Sequence, residues 1–191
     1  MKPERAPSEK WIMGVDPGSN LMGYAIIRAA GKSVKPELIV SGVVEMKKLE
    51  DPYLKLQRIF QRTLQVIDAY HPDELAIESQ FHGKNVQSML KLGRAQGVAI
   101  AAALQRDIAV FEYAPRKVKM SITGTGSASK EQIALLLGKF MTLPPTLSSL
   151  DETDAIAIAF CHHLQGNLPR TTDSGSKSWE DFIKRNPNKL V

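Results

Sequence analysis

The chain has 191 residues, 43% of them apolar and 24% charged, a length that builds one sizeable core and is short for two domains. A single cysteine, Cys161, excludes a disulfide framework and a cysteine-rich zinc site, and no apolar run approaches the length of a membrane span. The net charge of +5 permits a polyanionic partner, and the basic residues are grouped: Lys84, Lys91, Arg94 and Arg106 occur between 79 and 106 with no acid, while Arg116, Lys117, Lys119, Lys130 and Lys139 meet only Glu131 between 115 and 139.

Met1 to Lys10 is polar and lacks the apolar stretch of a signal peptide, so a flexible extension on a cytoplasmic protein is expected. Trp11 to Val15 reads as a buried strand, and Pro17-Gly18-Ser19-Asn20 is turn chemistry. Gly23 to Arg28 and Leu38 to Met46 follow as a second and a third strand, and short connections make the three an antiparallel meander. Asp51 as N-cap and Pro52 at the first helical position open a helix with Leu56, Ile59, Phe60, Thr63, Ile67 and Tyr70 at helical spacing; His71-Pro72-Asp73 stops it. Leu75 to Glu78 is a short buried strand. The next helix runs from Asn85 to Gln105, and Val86, Met89, Leu90, Gly93, Gly97, Ile100 and Leu104 share a face of it. Gly93 and Gly97 weaken that helix, so this face either admits a second backbone, as a dimer interface, or packs on the sheet.

Ile108 to Tyr113 is a fifth strand, and helices are expected at Arg116 to Ile122, Ser129 to Met141 and Leu150 to His163. Strands alternating with helices in the second half pair in parallel, which makes the sheet mixed. From Gly166 the composition turns to Asn, Pro, Thr, Ser and Lys, a polar tail in which Trp179, Phe182 and Ile183 form one amphipathic turn.

Four acids stand at the ends of apolar segments. Asp16 follows the first strand, Glu78 the fourth, and Asp151 and Asp154 open the run Ala155 to Phe160. Acids beside apolar stretches are costly to desolvate unless something positive holds them. Each has a plainer reading: Asp16-Pro17-Gly18 is a good turn, Glu78 a strand-end acid in water, and Asp151 with Glu152 a helix cap. Taken together, two strand-end acids and two acids a helical turn apart suit a pair of Mg²⁺ ions in phosphodiester hydrolysis, with Asp16 as the bridge between them.

Weaker signals surround these. Gly124 to Lys130 looks like a phosphate loop but fits no nucleotide-binding spacing. Phe81 either stacks on an unpaired base or tucks into the core. Cys161-His162-His163 reads as a helix end, since adjacent helical residues point in different directions.

The motifs Gly14-Val15-Asp16-Pro17-Gly18-Ser19, Ala76-Ile77-Glu78, Lys84-Asn85, Ala95-Gln96-Gly97-Val98-Ala99 and Asp151-Glu152-Thr153-Asp154-Ala155-Ile156-Ala157 resemble the RuvC-type Holliday junction resolvases, in family order, from about Trp11 to about Leu164. The resemblance implies a ribonuclease H-like α/β fold with a five-stranded mixed sheet, carried by a nuclease domain over 11–165 between the extension 1–10 and the tail 166–191. It implies a Mg²⁺-dependent endodeoxyribonuclease, with two ions per site and Mn²⁺ as a substitute, that nicks four-way DNA junctions as a homodimer and works with the RuvA–RuvB branch-migration complex. The family's four acids fall on Asp16, Glu78, Asp151 and Asp154, its DNA-contacting lysines on Lys119 and Lys130, and its junction-probing aromatic on Phe81; Lys84 joins the DNA contacts. Two other functions fit the residues taken without the resemblance: a ribonuclease H-like nuclease that processes structured RNA, and a junction-binding protein whose acids only cap and solvate.

Overall fold

A computed structural model of the chain describes residues 6, 9–30, 34–80, 85–143 and 150–167. Strands β1 (Glu9–Asp16), β2 (Leu21–Ala30) and β3 (Glu37–Glu45) form the meander. Helix α1 (Pro52–Tyr70), strand β4 (Glu74–Glu78), helix α2 (Val86–Leu104) and strand β5 (Ala109–Tyr113) follow, then helices α3 (Pro115–Thr123), α4 (Lys130–Phe140) and α5 (Leu150–Asn167). The sheet runs in the order β3-β2-β1-β4-β5, antiparallel among the first three strands and parallel from β1 to β4 to β5. The mixed five-stranded architecture is the expected one.

Alternation along the strands divides the core between two faces. Met13, Val15, Tyr24, Ile26, Leu75 and Ile77 point to α1 and α2, whereas Ile12, Ala25, Ile27, Ala76 and Tyr113 point to α5 and the helices beside it. Capping follows the sequence signals closely. Asp51 accepts a hydrogen bond from the Tyr53 N–H at 2.7 Å, Pro52 occupies the first turn, and His71 in the left-handed conformation closes α1 with its N–H on the Ile67 carbonyl at 2.7 Å.

One expectation needs correction, and two others are sharpened. The face of α2 that carries Val86, Leu90, Gly93, Gly97 and Leu104 points away from the sheet, with Val86, Leu90 and Leu104 all exposed. The helix buries Ala95, Ala99, Ala102 and Ala103 instead, because small side chains let it lie close to its neighbours. Cys161-His162-His163 does not end α5, which continues to Asn167; Cys161 and His162 are buried inside it. Within the Gly124 to Lys130 segment the amides of Gly124, Thr125 and Ser129 are used internally. Gly124 (φ 74°) closes α3 on the Met120 carbonyl, the Thr125 N–H meets Thr123 Oγ1, and Ser129 forms a capping box with Gln132.

Candidate active site

Parallel pairing of β1 with β4 decides where two of the acids meet. Val15 lies opposite Ile77, so the next residues, Asp16 and Glu78, leave the sheet side by side at its C-terminal end. Helix α5 supplies the other two, and two strand glycines set its distance. A Cβ at Gly14 would lie 2.1 Å from the Ala155 carbonyl oxygen, and one at Gly23 would lie 2.3 Å from that of Asp151. Only bare backbone on β1 and β2 lets the first turns of α5 rest on the sheet with Asp151 and Asp154 beside Asp16. Glu152, on the neighbouring position, accepts a hydrogen bond from Ser41 Oγ at 2.9 Å and so ties the helix start to β3.

The electrostatics of this corner are unfavourable to its own charges. Burial first, then the charges of Asp154 and Asp151, pushes Asp16 up to about 6, while Lys130 pulls the other way. Burial, then Asp16 and Asp154, pushes Glu78 up to about 7 against Lys130 and Lys119. Lys130, the first residue of α4, pairs with Asp154 and lies 3.9 Å from the Asp151 carboxylate. Burial works to lower the Lys130 ammonium, but its bond to Asp154 and the surrounding acids outweigh that and raise it. Lys119 of α3 is half-buried near Glu78.

The six expected residues inside the described chain therefore converge on one corner. Phe81 and Lys84 lie outside the described residues, as does the Trp179 turn of the tail. The donor set is all carboxylate oxygen and short of positive charge, which suits a hard divalent cation. As they stand, no three or more His, Cys, Asp or Glu side chains among the described residues are gathered in a metal-holding arrangement, and Asp154 is engaged by Lys130.

Sequence reasoning missed the two glycines, although a glycine inside a strand is itself a signal of close backbone approach. It also missed a second polar cluster further along α5. There the His162 Nδ1 lies 2.6 Å from the Tyr113 hydroxyl, and its Nε2 meets Glu74, which pairs with Lys10 at 2.6 Å.

A mixed sheet in the order β3-β2-β1-β4-β5, with acids at the ends of β1 and β4 and on a helix crossing them, is a ribonuclease H-like fold. The sequence model of the family described as crossover junction endodeoxyribonuclease RuvC matches residues 12–162. The chain belongs to that family. A crossover junction endodeoxyribonuclease RuvC of Porphyromonas gingivalis is 50% identical over 189 residues, covering 97% of this chain and 99% of the relative. One from Bacteroides fragilis is 50% identical over 186 residues, covering 95% and 96%. Both matches run beyond the Trp11 to Leu164 stretch on which the motifs lie. Among solved structures, Thermus thermophilus RuvC in complex with a Holliday junction substrate is 29% identical with a TM-score of 0.76, covering 82% of this chain and 94% of that one.

Proposed function

We infer that this chain is a structure-selective endonuclease that resolves four-way DNA junctions by metal-dependent phosphodiester hydrolysis, in homologous recombination and DNA repair. One observation carries the chemistry: Asp16 and Glu78 stand half-buried side by side at a strand end, where Asp154 raises the proton affinity of both, Asp16 raises that of Glu78, and added positive charge relieves both. Divalent-metal dependence belongs to the family. The ions proposed are two Mg²⁺ per site, with Mn²⁺ as a substitute; when bound they supply an activated water and stabilise the leaving oxygen.

The chain's own residues do the remainder. Asp16 is charge-coupled to Glu78, Asp154 and Asp151, which is the reason to propose that it would contribute to holding both ions. Glu78 and Asp154 would hold the ions with it. Asp151, half-buried in the first turn of α5, is the outermost of the four and joins them as a ligand. Lys130 and Lys119, on α4 and α3 at the rim, are assigned to backbone phosphates, and Phe81 with Lys84 to the junction centre.

A homodimer gives two equivalent sites to an approximately two-fold junction. The outward face of α2 is the surface proposed for it. Val86 and Leu90 are exposed there, and a Cβ at Gly93 or Gly97 would meet nothing within 4 Å, leaving room for another backbone. Cooperation with a RuvA–RuvB complex and a cytoplasmic location belong to the same proposal; no described helix is long and apolar enough to cross a membrane. The nuclease domain is assigned to 11–165, with 1–10 and 166–191 as extensions.

The test is cleavage of a synthetic mobile four-way junction, with linear duplex and structured RNA as controls and the products mapped. Paired, symmetric nicks in the junction alone, dependent on Mg²⁺, are expected. Cleavage of RNA in preference, or junction binding without any cleavage, would overturn the proposal.

A further inference from the structure

Strands β1, β3 and β4 all finish at the same end of the sheet, where the acids lie, and the turn after β1 is gathered there with the start of α1. The acids face α5. On the opposite face of the sheet, at this same end, α1 and α2 enclose a groove of about 260 Å³ closed by Ser19 and Asn20. Its floor is apolar, made by Leu56, Ile59 and Ala95. Its walls carry Lys55, Lys91 and Arg94 against Glu50 alone.

These cations are arranged, not merely present. Lys91 and Arg94 are three residues apart and so lie on one face of α2, beside the buried Ala95. Lys55 is held by a hydrogen bond to Asn20 Oδ1 at 2.7 Å, which leaves the rest of its ammonium donors for a ligand. Among the described residues neither Lys91 nor Arg94 is paired with an acid, whereas Arg106 further along the chain is bound to Asp68. Three positive groups directed into one concavity repel one another, and an anion between them removes that cost. Tyr53, at the groove's edge, is 74% exposed and offers a flat surface for a sugar or base.

We propose that this groove is a second DNA-backbone site, which holds a phosphate of a junction arm on the α1–α2 side while the scissile strand lies on the α5 side. The proposal rests on the junction-cleaving reading. Strands that diverge at a crossover can engage both faces of one sheet end together, so the groove adds affinity for the branched substrate without entering the chemistry.

The experiment measures junction affinity against salt for wild type, the Lys91→Gln/Arg94→Gln double variant and Arg58→Gln, whose charge lies in a different surface groove between β3 and α1. Both α2 positions are exposed, and unchanged melting curves check folding. The slope of log affinity against log salt should shallow by about two units in the double variant and stay unchanged in Arg58→Gln. Single-turnover nicking at saturating junction should match wild type. An unchanged slope in the double variant, or an equal loss in Arg58→Gln, would overturn the proposal. Inorganic phosphate alone should not stabilise wild type against heat more than the double variant; such stabilisation together with an unchanged salt slope would make the groove a site for free phosphate and overturn the proposal. Wild-type nicking in the same assay separates the two claims, since its absence would remove the junction-cleaving reading itself.

Discussion

Glu74 and Glu78 open and close the same short strand, point to the same helix and are both partly buried, yet their carboxyls shift in opposite directions. Burial acts to raise both. At Glu74 the hydrogen bonds from His162 and Lys10 outweigh it, and the carboxyl is held below its ordinary value. At Glu78 the neighbours are Asp16 and Asp154, and the carboxyl rises to about 7. The same contrast runs along α5. Its second half carries a satisfied network, in which His162 is held low by burial, donates through Nε2 to Glu74 and accepts from the Tyr113 hydroxyl, itself pushed by burial up to about 12. Its first turns carry acids with one cation among them. Polar groups that satisfy one another hold the fold together, whereas a cluster left short of one charge sign marks the place where something else binds.

The contrast is most sharply tested by exchanging one carboxylate for an amide at each end of β4. Glu78→Gln should lower junction nicking by more than roughly a hundredfold, beyond the effect of losing an outer partner of a metal ligand. Glu74→Gln should leave nicking within a few-fold and instead lower stability by about 1 kcal/mol in denaturant titrations, because a neutral amide replaces the carboxylate that accepts from His162 and Lys10. Equal losses of nicking in the two variants would erase the distinction.

Gly14→Ala should be the most damaging of the small substitutions. Its added methyl would meet the Ala155 carbonyl, so a loss of about 1–3 kcal/mol is expected, together with reduced nicking as α5 is displaced. Gly97→Ala, with open space at that position, should leave the monomer at least as stable.

The pH response separates the clusters as well. Asp16 and Glu78 have native values of about 6 and about 7 against 3.8 and 4.5, so the native state holds more protons than the unfolded chain over that interval. Their contribution to metal-free stability is therefore full below about pH 4 and lost as pH rises through 6 and 7. Glu74, shifted down, contributes above its ordinary value and is lost only on further acidification. Melting temperatures between pH 5 and 8 without metal should fall toward alkaline pH in wild type and flatten in Asp16→Asn/Glu78→Gln. A flat wild-type profile would contradict the shared frustration of those acids. The smallest effect expected is at the rim, where Lys119→Ala or Lys130→Ala should shallow the salt dependence of junction binding by about one unit each.

The acids were legible in the sequence because each stands at the end of an apolar run, a local signal. Their meeting was less so. It depends on β4 inserting beside β1, across a helix and away from its neighbours in the chain, and on Gly14 and Gly23 admitting α5. The two readings of the α2 face could not be separated in the sequence for a physical reason: periodicity weights large apolar residues, and this helix buries alanines. His162 escaped because residues 155–161 are buried on every side of α5, leaving no polar face to mark where the helix ends or which way the imidazole turns.

The account stands or falls on Asp16, where the two strands and the helix bring their acids together. The direct measurement is junction binding and Mg²⁺-dependent nicking by Asp16→Asn beside wild type, on the same synthetic four-way junction. Nicking lost to background with binding retained is the predicted result. Wild-type nicking by that variant would contradict the assignment of this corner as the metal-dependent active site.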